Sequence, residues 1–142
     1  MDSNIINNYD VIIMPPWVRL QNINIDLFVN IRSMMEMKLE TIQDYFNLIQ
    51  KNTKADGYLI NINRYLKNTV GCDVKFAKYP YDNCWSVISS KPSEFPTHIH
   101  QLITKRTKES NPSILKELKL LDSFTNKNRE FVLGGKKDLH KD

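Results

Sequence analysis

The sequence predicts an α/β domain in which parallel strands, joined through a crossover helix, are closed by an antiparallel hairpin. Three observations carry that expectation. A short continuous apolar run, Val11-Ile12-Ile13-Met14, stops at Pro15-Pro16, the pattern of a strand buried on both faces. A strand, helix and strand pattern follows over residues 25–62. Two alternating segments then flank a stretch of strong turn chemistry at residues 80–83.

Taken in order, the first strand is expected at residues 9–14. Paired prolines cannot continue a ladder, so the chain must leave the sheet there, with Trp17, Val18 and Leu20 covering apolar surface in the connection. A second strand is expected at residues 25–30, Ile-Asp-Leu-Phe-Val-Asn, apolar in its middle. Leu39, Ile42, Tyr45, Phe46 and Ile49 recur at helical spacing and predict an amphipathic helix over residues 39–51. Asp56-Gly57 is expected to stop that segment before a third strand at residues 58–62. Such a βαβ unit favours parallel pairing and a right-handed crossover.

Residues 73–79 and 84–89 alternate polar and apolar, and are expected to form the two arms of a hairpin turning at Pro80-Tyr81-Asp82-Asn83. Residues 91–96, with Pro92 and Pro96, read as a break. Helices are expected at residues 97–107 and 112–124, the second capped by Asn111 with Pro112 in its first position. On a helix, His98 and His100 would point to different faces, a poor metal pair, so no metal site is expected. From Asn126 onward no regular structure is predicted.

The 142 residues are 41% hydrophobic and 25% charged, enough for one core and against wholesale disorder. The length equally fits half of a larger domain. The net charge of +4 is partly concentrated at Lys127, Arg129, Lys136, Lys137 and Lys141. Such a run can meet phosphates or an anionic membrane, but a solvated tail is the plainer account. Without a basic stripe interleaved with aromatics, neither nucleic acid nor membrane is an expected partner. The predicted hairpin would hold Cys72 and Cys84 beyond disulfide reach, and no secretory segment or apolar run of about 18 residues is present, so a cytoplasmic protein is expected. The organisation expected is a polar leader (residues 1–8), an α/β half-domain (9–107), a helix (108–125) and a basic tail (126–142).

Periodicity alone leaves several α/β folds open, and particular residues narrow them. The segment Ile25-Asp26-Leu27-Phe28-Val29-Asn30-Ile31-Arg32-Ser33-Met34-Met35-Glu36-Met37 resembles the signature stretch of the sugar O-methyltransferase family, an aspartate-led strand ending in Asn-Thr-x-Ser-Met-Gln-Glu-Met. Asn30, Ser33, Met34, Glu36 and Met37 match; Ile31 replaces the usual Thr and Met35 the usual Gln, each removing a polar group. Gly57-Tyr58-Leu59-Ile60-Asn61-Ile62-Asn63-Arg64 is similar to the family's next, Asn-rich strand. Tyr79-Pro80-Tyr81-Asp82-Asn83-Cys84-Trp85-Ser86-Val87 is similar to its Tyr-Pro-Tyr-Asp hairpin, and Leu102-Ile103-Thr104-Lys105-Arg106-Thr107 to a closing helix. The resemblance runs from Tyr9 to Thr107.

The resemblance implies the C-terminal half of a Rossmann-like class I S-adenosylmethionine-dependent methyltransferase sheet, with methyl transfer to a sugar hydroxyl as the activity. Ligands of open α/β sheets bind outside the carboxyl ends of the parallel strands. Glu36 and Asn30 are then the catalytic candidates, Glu36 as the base for the hydroxyl proton. Ser33, Asn61, Asn63 and Arg64 are the substrate-binding candidates, since Asn grips hydroxyls as donor and acceptor at once. Trp17 or Tyr65 could face a sulfonium. Plainer roles compete: Asn30 and Ser33 as helix caps, Glu36 as a first-turn carboxylate, Met34, Met35 and Met37 as core, Trp85 as hairpin packing.

The resemblance further implies that the cofactor half is missing. Class I enzymes meet S-adenosylmethionine with a glycine-rich turn after their first strand and an acid ending the second. This chain has only Gly57, Gly71, Gly134 and Gly135, none in a G-x-G arrangement. A homodimer, or a partner polypeptide supplying the cofactor half, is therefore expected to complete an enzyme; the alternative is a non-catalytic half-domain acting as a binding or interaction module.

Overall fold

The computed structural model describes residues 23–68, 71–94 and 96–134. The strand expected at residues 9–14, Trp17 and the lysines from Lys136 onward lie outside the described residues. What is described is a mixed α/β fold with a sheet and C-terminal helices. Strand β1 (Ile25–Ile31) leads through a 3-10 turn (Met34–Glu36) to helix α1 (Leu39–Asn52) and strand β2 (Thr53–Arg64). Two short strands, β3 (Leu66–Lys67) and β4 (Val74–Lys75), and a second 3-10 turn (Phe76–Lys78) precede strands β5 (Trp85–Pro92) and β6 (Ile99–Arg106). Helices α2 (Ser113–Lys127) and α3 (Arg129–Val132) complete the described chain. The main sheet runs β1-β2-β6-β5, with β1 and β2 parallel and β6 antiparallel to both its neighbours.

The expected βαβ unit is present, with one difference at its junction. No turn separates α1 from β2: Thr53 Oγ1 donates to the Ile49 carbonyl (2.7 Å) and Asn52 Nδ2 to that of Leu48 (2.8 Å), finishing the last helical turn as the strand begins. Asp56-Gly57, expected to end the segment, lies inside β2. There Asp56 takes a φ of +68° and the pairing slips, from Ile25 opposite Thr53 to Leu27 opposite Tyr58. This is a bulge. A Cβ added at Gly57 would lie 2.8 Å from Thr53 Cγ2, 2.9 Å from the Ile25 carbonyl oxygen and 3.0 Å from that of Lys54. Two of these neighbours are backbone, so Gly57→Ala is expected to lose about 2 kcal/mol. The measurement is the urea midpoint at unchanged slope.

The hairpin differs from expectation. Residues 73–79 do not pair with residues 84–89: Val74–Lys75 pairs with Leu66–Lys67 in a separate two-stranded sheet, and Phe76–Lys78 is a 3-10 turn. Their apolar side chains serve the core, with Val74, Phe76, Ala77, Tyr79 and Tyr81 all buried. The hairpin is β5–β6, and residues 97–107, expected as a helix, supply its second strand. Ile99, His100, Leu102 and Thr104 are buried and β-branched residues recur, so side-chain packing favours the pleated form. Lys91 and Pro92, expected as a break, end β5; as the outer strand it tolerates a proline's missing donor. Both cysteines are free thiols.

α2 begins as expected, with Asn111 Oδ1 accepting the Ser113 N–H (2.9 Å). Structure persists beyond Asn126, contrary to expectation: α3 places Phe131 and Val132 in the core, and Arg129 bonds Asp73 (2.8 Å) rather than forming part of a free basic run. The core lies on one face of the sheet, where Ile42, Phe46 and Ile49 of α1 meet Leu59, Leu102 and Trp85. Burying each of these side chains contributes about 2 kcal/mol. On the outer strand β1, by contrast, Leu27, Val29 and Ile31 are 49%, 53% and 57% exposed, so its other face carries unburied aliphatic surface.

Candidate functional site

The carboxyl ends of the two parallel strands hold a polar cluster built from neighbouring strand positions. Asn30 stands opposite Asn61 in the register, and Asn63 lies two residues further along β2, on the same face. Asn63 Nδ2 donates to Asn30 Oδ1 (2.7 Å) and to Asn61 Oδ1 (2.5 Å), while its own Oδ1 accepts the Met35 N–H (3.1 Å). Asn61 Nδ2 donates to the Tyr81 hydroxyl (3.2 Å), and Asn30 Nδ2 donates to Ser33 Oγ. Four of the six candidates, Asn30, Ser33, Asn61 and Asn63, thus form one connected network.

Their roles divide by burial. Asn61 and Asn63 are 0% exposed with their amide groups engaged inside the protein, so they build the floor of the site and do not reach outward. Burial drives the Tyr81 hydroxyl well above its usual value, and it stays a neutral partner for Asn61. Ser33 is exposed and Asn30 half-buried, at the rim. Ser33 precedes the 3-10 turn without a side-chain cap bond, so capping does not account for it. Glu36 is exposed within that turn and its Oε1 is held by Lys67 Nζ at 2.5 Å. Met34 and Met35 are buried, the core role read from the sequence.

Arg64, the sixth candidate, ends β2, and two residues that the sequence did not assign to the site, Arg32 and His98, stand with it. Arg32 follows β1 with a φ of +59°, and its N–H donates to the Ile62 carbonyl (2.7 Å). His98 sits just before β6, beside Arg64, which pairs with Ile99. Burial, then Arg64, then Arg32 hold the His98 imidazole below its usual range. Arg64 Nε and His98 Nε2 are buried without a hydrogen-bond partner.

Tyr65 does not serve the site: it is buried, its ring tilted against Phe124 and its hydroxyl 3.0 Å from His100 Nδ1. His100 Nε2 lies 2.9 Å from Ser90 Oγ, which donates to Glu117 Oε1 (2.5 Å). With the serine proton committed to Glu117, His100 must donate through Nε2 and accept from Tyr65 at Nδ1. Trp85 is 0% exposed, with the Arg106 guanidinium 5.0 Å over its ring, and is core.

Among the described residues no group of three or more His, Cys, Asp or Glu is placed to hold a metal, and no helix is long and apolar enough to cross a membrane. The described glycines do not fit S-adenosylmethionine: Gly57 is inside β2, Gly71 in the β3–β4 connection and Gly134 after α3, none following a parallel strand's carboxyl end. No family model, no curated protein and no solved structure matches this chain.

Proposed function

We propose that the chain is the C-terminal half of a Rossmann-like class I methyltransferase domain, presenting a sugar for O-methylation once a second polypeptide or a second copy supplies the cofactor half. The observation that carries this reading is the sheet: two parallel strands joined through a helix, an antiparallel hairpin against the second, and a polar cluster at the parallel pair's carboxyl ends. That end is where open α/β sheets bind ligands. Asn30 and Ser33 face the rim as sugar-hydroxyl partners, Glu36 is the carboxylate placed to accept a hydroxyl proton, and Asn61 and Asn63 fix the geometry beneath them. The unburied aliphatic side chains of the outer strand β1 favour a protein partner on that side. The second reading, a non-catalytic binding module, draws on the consumption of Asn61 and Asn63 inside the fold and of Glu36 by Lys67.

Calorimetric titration with S-adenosylhomocysteine separates the two. A dissociation constant below about 100 μM, roughly −5.5 kcal/mol, is expected if self-association rebuilds a cofactor site. Absence of heat, both alone and with any co-purifying partner, would leave the binding-module reading.

A further inference from the structure

We propose that Arg32, Arg64 and His98 form an oxyanion site at the carboxyl ends of β1 and β2, one that binds the phosphate or carboxylate of an acidic sugar. Three backbone anchors bring them together. The Arg32 N–H is fixed to the Ile62 carbonyl at 2.7 Å, alongside the end of β2. Arg64 is the last residue of β2 and pairs with Ile99, the neighbour of His98. The His98 carbonyl accepts the Tyr65 N–H (3.4 Å), tying the start of β6 to the residue after Arg64.

Polar demand is unmet at this spot. Arg64 Nε and His98 Nε2 are shut off from solvent with nothing to bond, a state that costs stability until a partner arrives. None of the ion pairs among the described residues involves Arg32 or Arg64, and the nearby carboxylate in the signature segment, Glu36, belongs to Lys67. Burial first, and then the Arg64 and Arg32 guanidiniums, discourage protonation of the His98 imidazole, and the two guanidiniums create a field that an anion neutralises. An oxyanion here accepts from the Arg forks, and its charge offsets theirs. Arg32 also holds a left-handed backbone that side-chain-bearing residues seldom adopt, a conformation that persists where the surrounding structure enforces it. The sugar part of the ligand rests on the methyl-transfer reading; the oxyanion part does not.

The test follows the imidazole Cε1–H resonances of the full chain by NMR, which needs no methyl donor. Inorganic phosphate, glucose 1-phosphate, glucuronate and neutral glucose are titrated at constant ionic strength set with chloride. A saturable shift of His98 at millimolar phosphate is expected, with a raised His98 pKa and with His100 unmoved. Glucose 1-phosphate binding tighter than glucuronate assigns the phosphate, and the reverse order assigns the carboxylate. Arg32→Gln, an exposed position whose change leaves the core alone, is expected to weaken binding about tenfold. A His98 resonance that ignores every anion, or that shifts equally in Arg32→Gln, overturns the site. Silence toward S-adenosylhomocysteine, both alone and with any co-purifying partner, together with a responsive His98 would sink the methyl-transfer reading and leave the oxyanion site standing.

Discussion

Replacing Asn63 by alanine is expected to remove about 3 kcal/mol of stability, the largest loss from any single polar side chain at the site. The wild-type amide serves three partners at once, the Met35 N–H, Asn61 Oδ1 and Asn30 Oδ1. Asn30 is half-buried and can turn to water. Met35 and Asn61 are 4% and 0% exposed and cannot. Two buried groups left unsatisfied, at about 1–3 kcal/mol each, outweigh any gain from removing a polar side chain. The urea midpoint should fall at unchanged slope. A loss below about 1 kcal/mol would mean that water enters the network and that Asn63 is not its keystone.

Acid is expected to remove roughly 3 kcal/mol through a second buried group, His100. Burial presses its pKa from 6.5 down to about 4. The unfolded chain therefore takes up a proton that the folded chain refuses. The stability from the neutral imidazole is complete above about 6.5 and is lost as the pH falls toward about 4, below which the loss stops growing. The groups around His100 do not relieve this. The Tyr65 hydroxyl is pushed up to about 12 and stays neutral, while Glu117 reaches the ring only through Ser90. His98 is shifted in the same direction, and the lowered carboxyls of Asp56 and Asp122 act at greater acidity. Urea unfolding at neutral pH and near pH 4, compared between wild type and His100→Gln, isolates the effect. Equal acid losses in both proteins would remove His100 from the account.

The elements legible in the sequence are those whose pattern is long or bounded by its own chemistry. α1 could be read because Ile42, Phe46 and Ile49 repeat at helical spacing over about two turns, and β1 because an apolar stretch ends on Asn30. The apolar residues of 97–107 were too few to separate period two from a helix, and what decided them was a partner strand far along the chain. The turn chemistry at Asp82-Asn83 is real, with Asp82 Oδ1 accepting the Cys84 N–H at 2.9 Å, but it joins a 3-10 turn to β5 and is not the turn of a hairpin. At the candidate site, Asn30, Ser33 and Glu36 lie within seven residues of one another, so their grouping can be read locally. Arg32 lay within the same segment yet carried no signal, because its significance depends on His98, which only the folding of β6 against β2 brings near.

The bulge at residues 54–57 also governs how the chain can change in length. Pairing beyond it fixes which side of the pleat Leu59, Asn61 and Asn63 occupy, so one residue gained or lost after Tyr58 would turn all three away from the core together. The bulge already carries unpaired residues, and there a length change can be taken up before the alternation begins. It is a splice point upstream of an intolerant stretch. Over evolutionary time, insertions and deletions between α1 and the carboxyl end of β2 are expected to concentrate at this one place.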